Sequence, residues 1–339
     1  MRYVCSITTG GTQMTFNIKT VHKAVNWNKE DDNFTQAFWD QNVKQFWLPE
    51  EISVSKDLPV WNSLKEEERH LFKRVFGGLT LLDTKQANDG VPSMMSLTDN
   101  LQRKAVLSFM GTMEEIHAKS YSSIFTTLLT TPEINELFDW VETEPTLQRK
   151  AELVLAQYKN TYTDKELYLS MATSVFLESF LFYSGFFYPL YLAGQGKMVA
   201  SGEIISLILR DESLHGKYIG LLAQELYQKF SEEEQKELKD AILTIFDNLY
   251  KNELNYVEVV YDKSNLQEQV IKFMQYNANT AFGNLGFNKR FEEITEKDVN
   301  PIVLNGLSTE TKTHDFFSTK GNGYQKGIYE QLEDEDFVF

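Results

Sequence analysis

Apolar residues recur along most of this chain at the three- and four-residue spacing of helices buried on one side. Phe34 to Trp47 reads as a short, aromatic-rich helix. Ser63, with Glu66 three residues on, has the form of a capping box. The helix it predicts carries Leu71, Phe72, Val75, Phe76, Leu79 and Leu82 on one face and runs towards Asn88, where Gly90 and Pro92 stop it. A second long helix is expected over 96–129, Thr131-Pro132 opens another, and further helices are expected over 145–160 and 164–192. Gly194-Gln195-Gly196 breaks the chain. Ser201 is the expected cap of a helix running towards Phe230, and Ser231 that of one reaching about Tyr261. The last helix covers 266–282. No segment shows strand alternation bounded by hairpin turns, so the predicted fold class is all-α.

Two carboxylates interrupt these apolar faces. Asp83 ends the face that begins at Leu71, and Glu178 lies between Val175-Phe176-Leu177 and Phe180-Leu181-Phe182. A carboxylate in such a place is costly unless it is paired or metal-bound. Each is followed, at a similar distance, by Glu-x-x-His in the next long apolar helix: Glu114 with His117, and Glu212 with His215. Positions three apart share a helix face. Four helices supplying four carboxylates and two imidazoles build a dinuclear metal site. The four charges balance two divalent ions, and oxygen-rich ligation with two histidines favours iron or manganese over structural zinc.

Five histidines among 49 acidic residues in 339 make an occasional chance match unsurprising. A third match, Glu67-x-x-His70, lies in a charged run at a helix start and reads as a solvated face. His22 and His314 have no ligand context. Tyr121 lies one turn beyond His117 on the same stripe. Alone it would be an ordinary core aromatic. Beside an oxidising metal pair it could be oxidised to a radical, with Phe182, Phe186 and Ile208 as a protective apolar surround.

Composition narrows the remaining possibilities. The chain is 42% hydrophobic and 13% aromatic, enough for a large core, and its net charge is −16. No basic cluster with interleaved aromatics appears, so no nucleic-acid partner is expected. The one cysteine, Cys5, excludes internal disulfides and cysteine-based metal sites, and fits a reducing cytoplasm. The polar start lacks a signal-peptide core. Residues 171–194 are apolar enough to resemble a membrane span, but they contain Glu178, Gly185 and Pro189 and read as a buried core helix. The expected layout is an N-terminal extension over 1–23, a helical domain over 24–305 and a tail over 306–339. The tail ends in Glu333-Asp334-Glu335-Asp336 followed by Phe337-Val338-Phe339, an apolar anchor behind acidic spacers that suits docking on a partner.

Several runs together resemble the small, radical-generating subunit of class I ribonucleotide reductase, specifically class Ib. They are Met113 to Tyr121, Ser174 to Gly185, Arg210 to His215, Asn284 to Phe287, His314 to Phe317 and the acidic, aromatic tail. The resemblance implies a ferritin-like helical bundle forming a homodimer. It carries the metal ligands onto Asp83, Glu114, His117, Glu178, Glu212 and His215, and the radical onto Tyr121. Trp47, Asp211 and Tyr324 are similar to residues of the radical-transfer route, and Ser179 and Tyr183 to residues of an oxidant channel. The implied cofactor is two iron or two manganese ions per chain with a tyrosyl radical on Tyr121. The implied partners are the large subunit, held through the tail, and a flavodoxin-like activase if the metal is manganese. Thr280 follows Asn279 where the family pattern has a lysine, a departure that bears on oxidant delivery rather than metal binding. Two other functions fit the bundle: a dimetal oxidase acting directly on a small substrate, and a non-catalytic iron store.

Overall fold

The computed structural model describes residues 3–9, 12–18, 22–29, 32–159 and 161–307. Thirteen α-helices account for most of it: α1 Thr35–Lys44, α2 Leu58–Ser63, α3 Glu66–Lys85, α4 Val91–Leu97, α5 Leu101–Leu128, α6 Thr131–Thr143, α7 Pro145–Tyr158, α8 Asp164–Phe176, α9 Tyr183–Ala193, α10 Val199–Tyr227, α11 Glu232–Val260, α12 Gln267–Asn284 and α13 Pro301–Leu307. The last of these crosses the boundary expected at 305/306.

The expectation of no strands is corrected at the N-terminus. β1 Tyr3–Thr9 and β2 Thr12–Ile18 pair antiparallel, Thr9 opposite Thr12, and are the only strands among the described residues. The missed signal is Gly10-Gly11 between two runs rich in β-branched and aromatic residues, a short-hairpin pattern.

The centre of the bundle is α8 and α9 with the residues between them, nearly all buried from Leu167 to Ala193. α10 packs along both helices, α3 lies on α5 and α9, α11 on α7 and α8, and α12 on α9. The apolar window within Asp164–Ala193 is 94% buried inside the fold, as expected of a core helix.

Two π-helical turns interrupt the regular helices. Gln86–Gly90 joins α3 to α4, and Leu177–Leu181 precedes α9. The first corrects the expected stop at Gly90 and Pro92. The chain stays helical there, and Pro92 is accommodated at the second position of α4, directly after the wider π-helical turn. The expected helix over 96–129 is two helices, α4 and α5. They are separated at Asn100, whose side chain accepts from the N–H groups of Gln102 and Arg103.

Two expected caps also move. Ser63 closes α2, and α3 begins after Lys65, whose N–H donates to Glu68 at 2.8 Å. α10 begins at Val199 rather than after Ser201, with Met198 left-handed at φ 49°. Its cap comes from far away in sequence: Asp57 accepts from the N–H groups of Ala200 (3.0 Å) and Ser201 (2.8 Å) and from the Ser201 hydroxyl (2.7 Å). Asp57→Ala is expected to cost about 1–2 kcal/mol in chemical denaturation; an unchanged midpoint would remove this cap from the account. Ser231 caps α11 as expected, with Glu234 bonding back to its N–H.

Candidate metal centre

Four helical elements bring the predicted ligands together. α3 supplies Asp83 near its end, and α5 supplies Glu114 and His117 on one stripe. The turn Leu177–Leu181 supplies Glu178, and α10 supplies Glu212 and His215. All six side chains are completely buried.

They form two overlapping groups whose ligand atoms lie within 4.8 Å of one another: Asp83, Glu114, His117 and Glu212, and Glu114, Glu178, Glu212 and His215. Glu114 and Glu212 belong to both. His117 Nδ1 is 2.9 Å from Glu212 and 3.4 Å from Asp83, and His215 Nδ1 is 2.8 Å from Glu114 and 3.3 Å from Glu212. Yet both oxygens of Asp83, Glu114 and Glu212, Oε2 of Glu178, Nδ1 of His117 and both ring nitrogens of His215 lack an aligned hydrogen bond. Buried polar atoms that converge without hydrogen-bonding are the arrangement expected of ligands aimed at cations. The donor set of carboxylates and two imidazoles therefore fits a pair of divalent ions.

The electrostatics agree. Burial, then the charges of Glu114 and Glu212, push Asp83 well above the ordinary carboxylate range, and the same causes push Glu178 up. Burial also works against the charge of Glu212, but Glu178 and the two imidazoles hold it below its ordinary value. Burial lowers His117 and His215, but surrounding carboxylates outweigh it and push both well above the ordinary imidazole value. The imidazolium charges thus stand where divalent cations would, and binding those cations would release the protons.

Around this centre the ligands have partners of their own. Asp211 Oδ2 lies 3.1 Å from His117 Nε2 and accepts from Trp47 Nε1 at 2.7 Å. Its other oxygen accepts from Gln45 Nε2 at 2.7 Å. Trp47 is fully buried, and its ring lies nearly parallel to that of His117 with centroids 6.1 Å apart. Glu178 Oε1 accepts from Gln86 Nε2 at 2.5 Å. Neither Gln45 nor Gln86 was singled out from the sequence; the available signal for Gln86 was its place one turn after Asp83.

Tyr121 is fully buried, and its hydroxyl has no hydrogen-bond partner. Burial, then the charges of Asp83, Glu212 and Glu114, push the phenol well above its ordinary value, so it stays protonated. Phe76 lies edge-on to its ring at 5.6 Å, a residue whose spacing marks it only as core. Phe182, Phe186 and Ile208 are completely buried in the same core, with the two Phe rings stacked at 5.6 Å.

Ser179 and Tyr183 are nearly buried, and Ser179 Oγ accepts from Asn284 Nδ2 at 3.2 Å. Thr280 is exposed. The side chain that α12 presents to Ser179 is therefore Asn284, one turn further on. Of the third Glu-x-x-His match, Glu67 is exposed and His70 half-buried, consistent with a surface position. Tyr324, His314 and the acidic end of the tail lie outside the described residues.

Comparison with known proteins gives a consistent result. Residues 24–301 match the family described as ribonucleotide reductase, small chain. The ribonucleoside-diphosphate reductase subunit beta of Bacillus phage SPbeta and that of Bacillus subtilis are each 55% identical over 322 residues, covering 94% of this chain and 97% of the relative. The ribonucleoside-diphosphate reductase 2 subunit beta of Escherichia coli is 42% identical over 318 residues, covering 93% of this chain and 98% of the relative. Among solved structures, Streptococcus sanguinis dimanganese(II)-NrdF superposes with a TM-score of 0.82 at 44% identity, covering 85% of this chain and all of that one.

Proposed function

The chain belongs to the ribonucleotide reductase small-chain family, and from that premise we propose how its residues divide the work of a class Ib beta subunit. The activity is that of a ribonucleoside-diphosphate reductase, which this subunit serves together with a large subunit. Its cofactor is two iron or two manganese ions per chain. In our reading Asp83 and His117 hold one ion, Glu178 and His215 hold the other, and Glu114 and Glu212 are shared.

When bound and oxidised, the metal pair supplies the one-electron oxidation of a nearby tyrosine. Tyr121 would give up that electron to the pair and its hydroxyl proton to the carboxylates that face it, Asp83 foremost, because burial and those carboxylates disfavour the phenolate and keep the proton on the oxygen until then. The resulting radical sits in a core from which water is excluded, which protects it from quenching. Export runs outward as electrons step inward: Trp47, joined through Asp211 to His117, is the first stepping stone and Tyr324 a later one.

The observation that carries this reading is the unbroken line Trp47–Asp211–His117 beside the buried Tyr121. An oxidase acting on a small substrate, or an iron store, has no use for such a line. The test is to load the metal-free protein with iron and oxygen, or with manganese and a reduced flavodoxin-like activase, and record the electron paramagnetic spectrum. A tyrosyl radical supports the reading; two bound metals and an intact Tyr121 without a radical by either route would sink it.

The finer assignments belong to the same proposal. The family's subunits work as a homodimer beside the large subunit; the acidic tail with its terminal Phe337-Val338-Phe339 holds that complex together. Ser179 and Tyr183 line the path of the oxidant. The acidic chain with its single cysteine supports a cytoplasmic setting. Deleting 321–339 is expected to leave the radical yield unchanged while reducing turnover with the large subunit to background. Undiminished turnover would show that the tail is not the link.

A further inference from the structure

The buried amide of Gln86 lies outside the ligand set, and its surroundings are built with unusual completeness. It is the first residue of the π-helical turn after α3, one turn beyond Asp83. Its Nε2 uses both hydrogens, one to Glu178 Oε1 at 2.5 Å and one to Ser174 Oγ at 2.6 Å. Its Oε1 accepts from the Tyr158 hydroxyl at 2.8 Å. Gln86 is fully buried and Tyr158 nearly so.

This network has one polarity. The Tyr158 hydroxyl donates to the amide oxygen, while the amide nitrogen donates to Glu178 Oε1 and Ser174 Oγ. Reversing the amide would set two acceptors, its oxygen and a Glu178 oxygen, against each other in a water-free interior. The backbone makes room for it: a Cβ at Gly90 would collide with Gln86 Oε1 and come within 2.9 Å of the Tyr158 ring.

The consequence for Glu178 is that one oxygen is tethered and the other is not. Oε1 is held by Gln86, while Oε2 has no hydrogen-bond partner and lies 3.7 Å from His215 Nδ1. On the other side of the site, His117 is the tethered ligand, through Asp211. The two half-sites thus each have one ligand fixed from outside, by different groups on different helices.

We propose that Gln86, oriented by Tyr158 and Ser174, is a positioning residue that presets Glu178 to bind through its free oxygen, and so sets the affinity of the ion on the Glu178–His215 side independently of its neighbour. The inference rests on the ligand assignment above. Outer partners of this kind change metal affinity by about 10–100-fold when removed.

The test is a manganese(II) titration of the metal-free full chain, with free ion counted from its six-line paramagnetic signal, for wild type, Gln86→Leu and Tyr158→Phe. Two ions per wild-type chain are required by the ligand assignment; any other stoichiometry would fail that assignment rather than this one. For Gln86→Leu, one ion should bind as in wild type and the second at least about tenfold more weakly. Tyr158→Phe keeps the amide but frees its orientation, and should weaken the same ion by a smaller factor. It also decides the matter alone if the leucine variant fails to fold. Wild-type affinity for both ions in a folded Gln86→Leu or in Tyr158→Phe, or equal weakening of both ions, would overturn the proposal, since a merely structural role would not single out one of the two.

Discussion

Tyr121→Phe is expected to keep two ions per chain and to lose both the radical signal and reductase activity. The substitution removes one oxygen. That oxygen has no hydrogen-bond partner, so no bond is broken by its loss. Stability should change by less than about 1 kcal/mol, because the cost of removing a buried hydroxyl comes mainly from the partner it abandons. Phenylalanine cannot yield a neutral radical by losing an electron and a hydroxyl proton, so the store is gone. Turnover should fall at least about a thousandfold, equivalent to about 4 kcal/mol of barrier. Metal analysis, paramagnetic spectra and turnover with the large subunit on the same sample check all three parts. A variant that loses its metal would make Tyr121 a ligand instead.

Asp83→Ala should act in the opposite sense, removing metal without unfolding the protein. Asp83 is a buried carboxylate with no aligned hydrogen bond, held under pressure from Glu114 and Glu212. The fold alone therefore gains little from it, and a metal-free Asp83→Ala chain should melt no lower than the metal-free wild type. The difference should appear on loading. An ion at a hundred times its dissociation constant stabilises the protein that binds it by about 2.7 kcal/mol. The variant should forgo that increment for at least the His117-side ion and show no radical. Melting curves with and without manganese, beside metal content, make the comparison. Unchanged metal content would refute the ligand role.

The buried cluster of four carboxylates and two imidazoles was legible because its cost is local. Asp83 and Glu178 stand out in the sequence as carboxylates on apolar faces, and Glu-x-x-His places two ligands on one face of a single helix. The long helices were legible for a similar reason, since their apolar stripes and local caps such as Ser231 are written within a few residues. What escaped was set by contacts between distant parts of the chain. α10 begins at Val199 because Asp57 reaches its first N–H groups, 143 residues away at the nearest. Gln86 matters because of Tyr158 and Ser174, which lie on α7 and α8. The hairpin is a different case: its Gly10-Gly11 signal was local, but it was outweighed by the helical character of everything after it. Trp47 and Asp211, proposed for the transfer route, came from resemblance, and no periodicity would have joined them.

The turn Leu177–Leu181 also constrains how the chain can change in length. A π-helical turn holds about one residue more than the α-helical turn it resembles. Deleting a single residue there would give a smoother helix, and a local view would count that as a repair. But the extra residue is what gives this turn more side chains than a regular α-helical turn can direct: Glu178 joins the buried cluster while Phe182 and Phe186 lie in the core, and a deletion would take one of those positions away. The turn lets one continuous stretch of chain serve two differently directed faces. Within this segment, substitutions are the permitted currency of variation, and single-residue deletions are not.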